Sequence, residues 1–75
     1  MTTLAELSPG NRARIVAVLG ADAISTRLME MGLIEGETVE YLGPAPLGDP
    51  LEFRVCGYRL SLRQTEARRV QVELP

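Results

Sequence analysis

No histidine occurs in this sequence, and Cys56 is its single cysteine. Those two facts remove the Ser/His/Asp and Cys/His sets that make a nucleophile. They also leave any metal to the carboxylates. Glu35 and Glu37 are the closest pair among ten scattered acidic residues. Two carboxylates hold a hard cation weakly, and transition metals bind best where imidazole is present. There is no lysine and no G-x-x-x-x-G-K run, so no phosphate loop of that type exists. The reading is a protein that is not an enzyme, with no catalytic residues, no cofactor and no metal site of its own.

The chemistry that remains is surface recognition. All eight basic residues are arginine, the side chain suited to planar, bidentate contact with carboxylate or phosphate. Arg54, Arg59 and Arg63 fall on the outward positions of two alternating segments. Arg54 directly opposes Arg59 there, a mildly unfavourable arrangement. It reads either as a basic stripe for an acidic partner or as charge neutralised by Glu52 and neighbouring carboxylates. Arg27, Met29 and Leu33 surround the end of a helical segment. Exposed Met and Arg are enriched in interfaces, so they read as a partner contact. The alternative makes Leu33 a cap contact and has Met29 cover the barrel rim. The net charge of −2 speaks against nucleic acid, which calls for a basic excess.

The positioning elements follow from periodicity. Leu51–Cys56 and Tyr58–Arg63 alternate apolar and polar with period two around a Cys56-Gly57 break, the mark of strands with one buried face. A two-residue loop ending in Gly suits a primed turn. That turn pairs Val55 with Tyr58, Phe53 with Leu60 and Leu51 with Leu62, all on one apolar face. A slip of one residue would invert both strands, so the register is well specified.

Upstream, Leu4–Leu7 reads as a helical turn and Ser8-Pro9-Gly10 as a chain reversal. Arg12–Leu19 is a first strand with Ala13, Ile15 and Ala17 on one face; Val16 and Val18 on the other suggest cover on both sides. Asp22 is an N-cap for a helix over Ala23–Met31. Ile24, Leu28 and Met31 give its apolar stripe, and Gly32 stands where a left-handed C-cap belongs, with Leu33 folding back. Thr38–Leu42 is a strand, with Val39 and Tyr41 inward. Gly43–Pro50 holds three of the five prolines and is an irregular loop. Gln64–Arg68 is one helical turn, and Val70, Val72 and Leu74 mark a last strand. The expected fold is mainly β: a small SH3-like five-stranded barrel with one short α-helix between the first two strands.

At 75 residues this is read as one domain, spanning 1–75. A domain of this size buries only about 60% of its unfolded surface, leaving little room for an internal cleft. The lone cysteine excludes an internal disulfide and fits a reducing compartment. Met1–Gly10 lacks the features of a secretory signal, and no apolar run approaches the roughly 20 residues that span a bilayer. The expected location is the cytoplasm.

Taken together, the motifs resemble one family. Arg27-Leu28-Met29-Glu30-Met31-Gly32-Leu33-Ile34-Glu35-Gly36 is similar to the "R-L-x-x-[ML]-G-[LI]-x-x-G" segment of the FeoA family. Leu7-Ser8-Pro9-Gly10 resembles its "L-x-x-G", and Gly48-Asp49-Pro50-Leu51 its "G-D-P-[LI]". Leu60-Ser61-Leu62-Arg63-Gln64-Thr65-Glu66-Ala67 resembles its "[LI]-[AS]-[LI]-R-x-x-[ED]-A". The match runs in order along nearly the whole chain. The resemblance implies an SH3-like barrel and a cytoplasmic accessory protein of bacterial ferrous iron uptake. It further implies a partner, the membrane transporter FeoB with its cytoplasmic GTPase-like domain, so that the protein would be peripheral to the membrane only through that partner. Related domains end iron- and manganese-dependent repressors, so a peptide- or regulator-binding role is the alternative. With Met1 leading and no helical DNA-binding portion ahead, the free-standing role fits better.

Overall fold

A computed structural model describes residues 2–75. Six strands form one antiparallel sheet. They are β1 (Thr2–Thr3), β2 (Arg12–Val18), β3 (Thr38–Pro44), β4 (Leu51–Val55), β5 (Tyr58–Leu62) and β6 (Val70–Glu73). Their spatial order is β1-β6-β2-β3-β4-β5. Helix α1 (Ala23–Glu30) lies between β2 and β3, and α2 (Gln64–Ala67) between β5 and β6. A 3-10 turn at Leu4–Glu6 follows β1. The five expected strands and the helix are all present. The sixth strand, β1, is two residues pairing with β6, too short to show a period.

The β4–β5 hairpin has the register that its alternation dictates: Val55 opposite Tyr58, Phe53 opposite Leu60, Leu51 opposite Leu62. Cys56 and Gly57 have φ of 52° and 82°, the two positive values of a type I′ turn. Phe53 is fully buried and stacks on Tyr41 with ring centroids 5.1 Å apart. Around this pair the core collects Leu4, Ile15, Leu28, Leu33, Val39, Leu62, Val70 and Val72.

Two bulges depart from the simple alternation. In β2 the register shifts between Ile15 and Ala17. Val16 is then extra, Ala17 becomes half-buried, and Val18 packs toward the core opposite Val70. An inserted residue reverses which side chains face inward beyond it, so the expected inward Ala17 is replaced by Val18. In β3 a second shift between Tyr41 and Gly43 carries the strand on to Pro44, past its expected end at Leu42. At the other end of the chain β6 stops at Glu73, and Leu74 is exposed.

Candidate functional site

The end of α1 is built by its caps. Asp22 Oδ1 accepts from the Ser25 amide at 3.1 Å, and Ser25 Oγ accepts from the Asp22 amide at 3.2 Å. This reciprocal box pulls Ser25 inward, where it is buried. The buried side of the helix is therefore Ser25 and Leu28, with Met31 half-buried. Ile24, expected on the stripe, is 39% exposed. At the other end the Leu33 amide donates to Leu28 O at 3.2 Å and the Gly32 amide to Met29 O at 3.0 Å. Those are the two bonds of a Schellman motif. Its customary apolar contact is supplied by Leu28 and Leu33, both fully buried. Leu33 is thus a cap residue set in the core. It offers no surface to a partner, because the cap fold-back that terminates the helix carries it inward.

Gly32 satisfies two demands. Its φ is +104°, and a Cβ placed on it would lie 2.6 Å from the Tyr58 hydroxyl. That hydroxyl donates to Met31 O, so β5 latches the last turn of α1. Tyr58 was expected on the buried hairpin face; it sits at the rim, 47% exposed, because its ring reaches over the helix end. Nothing local in the sequence shows this contact, since the partners stand 27 positions apart.

On this frame Met29 is 43% exposed, and Arg27 pairs with Glu66 of α2. Glu66 also accepts from the Arg63 amide at 2.9 Å, tying α1, α2 and the end of β5 together. Arg27, Met31, Pro50, Ser61, Arg63 and Glu66 line one recess of about 370 Å³. The Arg63 side chain has no carboxylate partner among the described residues.

Arg54 and Arg59 belong to a different surface. Arg12, Glu40, Arg54 and Arg59 occupy one rung across β2, β3, β4 and β5. Arg54 lies 3.6 Å from Glu40, and Arg59 lies 2.8 Å from Glu52. Arg54 and Arg59 stand outward as the alternation predicts, each with a carboxylate beside it, whereas Arg63, expected on the same stripe, lines the recess with Arg27; the remaining pair forms a short charged patch. It does not share the recess that Arg27 lines.

Cys56 sits at the hairpin tip with its thiol donating to Glu37 Oε2 at 3.5 Å. Partial desolvation raises the thiol pKa, and the Glu37 carboxylate pushes it further the same way, which disfavours the thiolate nucleophile. Among the described residues no three His, Cys, Asp or Glu side chains converge into a metal-holding group. A further recess, about 450 Å³, is lined in part by Arg12, Arg14, Thr38 and Glu73. The Glu73 carboxylate there is paired with Arg14.

An antiparallel sheet of six short strands with a helix inserted after its first long strand is the SH3-like arrangement, although β1 and β5 stay as unpaired edges and the expected five-stranded barrel is not closed. Comparison with known proteins narrows that class. The model of the FeoA domain matches residues 2–74, and the chain belongs to the FeoA family, whose setting is ferrous iron transport. The Fe(2+) transport protein A/Fe(2+) transporter FeoB fusion protein of Porphyromonas gingivalis is 41% identical over 71 residues, 95% of this chain. This chain spans 8% of that protein's length. The crystal structure of Stenotrophomonas maltophilia FeoA complexed with zinc, a procaryotic SH3 domain protein, superposes with a TM-score of 0.85 at 38% identity, covering 97% of this chain and 91% of that one. The T. acidophilum IdeR structure gives a TM-score of 0.83 over 96% of this chain and 33% of its own, at 23% identity. That last likeness is one of fold alone.

Proposed function

We propose that this domain is a non-enzymatic accessory module of ferrous iron uptake that docks on the cytoplasmic part of the FeoB transporter and modulates it. The observation that carries the reading is the P. gingivalis relative, in which a domain 41% identical to this chain is joined covalently to FeoB. Domains fused in one chain work at high effective concentration, and such a fusion is the arrangement expected of two domains that meet through a contact surface. The helix end supplies one: Arg27 and Met29 stand outward, with Leu33 holding the turn beneath them. Arg54 and Arg59 supply a second, electrostatic one. No helix among the described residues is long and apolar enough to cross a membrane, so membrane association would come through the partner. Nucleic acid has no place in this reading.

The test is direct binding of the purified chain to the cytoplasmic region of its cognate FeoB, with and without guanine nucleotide. Saturable one-to-one binding is expected. Absence of binding in both nucleotide states at the highest attainable concentrations would refute the reading.

A further inference from the structure

Strand β5 is an edge of the sheet, with β4 as its one neighbour. The tight turn at Cys56-Gly57 makes Val55 and Tyr58 a hydrogen-bonded pair, so Tyr58, Leu60 and Leu62 direct their amides and carbonyls at β4. Those of Arg59 and Ser61 point the other way, and no hydrogen bond among the described residues engages them. This free edge is bounded at both ends. At one, the Tyr58 hydroxyl is spent on Met31 O. At the other, the Arg63 amide donates to Glu66 Oε1 at 2.9 Å, and the Arg63 carbonyl accepts from the Glu66 and Ala67 amides. Between these limits the edge opens into the recess of about 370 Å³ that Ser61 and Arg63 line with Arg27.

An open edge is a template for a further strand, and the side chains along it select which strand. From Arg59 onward the outward residues are Arg59, Ser61 and Arg63, with no acid among them. Arg59 is matched by Glu52 on β4. The Arg63 side chain has no carboxylate partner among the described residues, because Glu66 is held by Arg27. A second copy of this chain is a poor occupant. Paired antiparallel about Ser61, the two β5 strands would set each Arg59 opposite the other's Arg63, and like charges directly opposed are destabilising. A strand carrying a carboxylate at that position reverses the sign of the same contact.

We infer that an extended acidic segment of the FeoB cytoplasmic region adds to β5 as a further strand, exchanging main-chain hydrogen bonds with Arg59 and Ser61 and seating a carboxylate on Arg63. The inference rests on the reading of FeoB as partner. It runs the contact along the recess that Arg27 lines, so that main-chain pairing supplies affinity and Arg63 supplies selection for acid.

The first measurement needs no variant. In the free protein, amide exchange followed by NMR is fast at Arg59 and Ser61 and slow at Leu60 and Leu62. Saturating FeoB cytoplasmic region slows the Arg59 and Ser61 amides by about tenfold or more. The second measurement is affinity for the same FeoB region. Ser61→Pro removes an outward amide hydrogen, a change edge strands tolerate, and weakens binding about tenfold. Ser61→Ala keeps the amide and weakens it by less than about threefold. Arg63→Gln weakens it about tenfold at low salt and less at high salt. FeoB bound while the Arg59 and Ser61 amides still exchange freely overturns strand addition and leaves the FeoB reading standing. Equal losses in Ser61→Ala and Ser61→Pro do the same, since the hydroxyl would then be the contact. Unaltered binding by Arg63→Gln overturns the acidic segment. Protection of these amides that grows with the concentration of this chain alone overturns it in favour of a second copy. Wild type failing to bind FeoB overturns both readings.

Discussion

Gly32 and Tyr58 show how one contact sets the shape of the candidate surface. The Tyr58 hydroxyl can reach Met31 O only because position 32 has no Cβ. Gly32→Ala therefore carries two penalties: a left-handed φ that L side chains resist, at about 1–2 kcal/mol, and displacement of the tyrosine. Tyr58→Phe alone removes one hydrogen bond, worth about 0.5–1.5 kcal/mol. In the double variant the hydroxyl is already absent, so part of the clash is gone. The two losses, measured by denaturant unfolding, are expected to sum to less than additively, with coupling of about 0.5 kcal/mol or more. Strict additivity would mean that the latch is not formed. The sequence marks Gly32 as a helix stop but is silent on Tyr58, because capping is local chemistry and the latch joins distant strands.

The elements differ in how openly the sequence declares them. The β4–β5 hairpin is plain to read, because its period is unbroken and its turn needs the positive φ that Gly supplies. The barrel's other long strands are harder: bulges at Val16 and Leu42 change which residues face inward, and a bulge has no hydrophobic period. In α1 an apolar stripe favours Ile24, yet the cap box draws Ser25 inward in its place, so polar bonding overrides hydropathy in the first turn. That cap also responds to acid. The Asp22 carboxyl is lowered from its ordinary 3.8 to about 2, first by the hydrogen bond from Arg69 and then by the Ser25 amide. A depressed carboxyl stabilises the fold above its unfolded value, and this contribution is lost as pH falls from about 4 toward 2. Asp22→Asn keeps an N-cap acceptor but not the charge on Arg69. Its melting temperature is expected below wild type at pH 6, with the two curves converging near pH 2. A constant gap across that range would remove the Arg69 pair from the account.

The candidate docking surface is only as good as the core that holds it. Phe53, fully buried against Tyr41, is the one phenylalanine of the chain. Phe53→Ala costs about 3–5 kcal/mol, against a total of about 4–11 kcal/mol at 0.05–0.15 per residue for a chain of this length. A large share of the stability is forfeited, and a denaturant midpoint near wild type would mean the core lies elsewhere. Surface substitutions separate from this cleanly. Arg27 forms an exposed pair with Glu66, and exposed pairs are worth about 0–1 kcal/mol; Met29 is largely solvated. Arg27→Ala and Met29→Ala are therefore expected to melt close to wild type while weakening FeoB binding, by about 2 kcal/mol where the side chain is an interfacial anchor. Arg54→Glu with Arg59→Glu acts through another term. It turns two attractive pairs, with Glu40 and Glu52, into repulsive ones, so a modest melting loss accompanies it. On a chain of net charge −2 it also removes local positive potential that the proposed docking would present to the partner. Association with FeoB should slow, most at low ionic strength, with dissociation little changed. Rim charge governs encounter and buried apolar contact governs lifetime, so stopped-flow or sensor kinetics across a salt series distinguishes the two surfaces. If Arg27→Ala and Met29→Ala leave dissociation unaltered in folded protein, the helix end is not where the transporter is held.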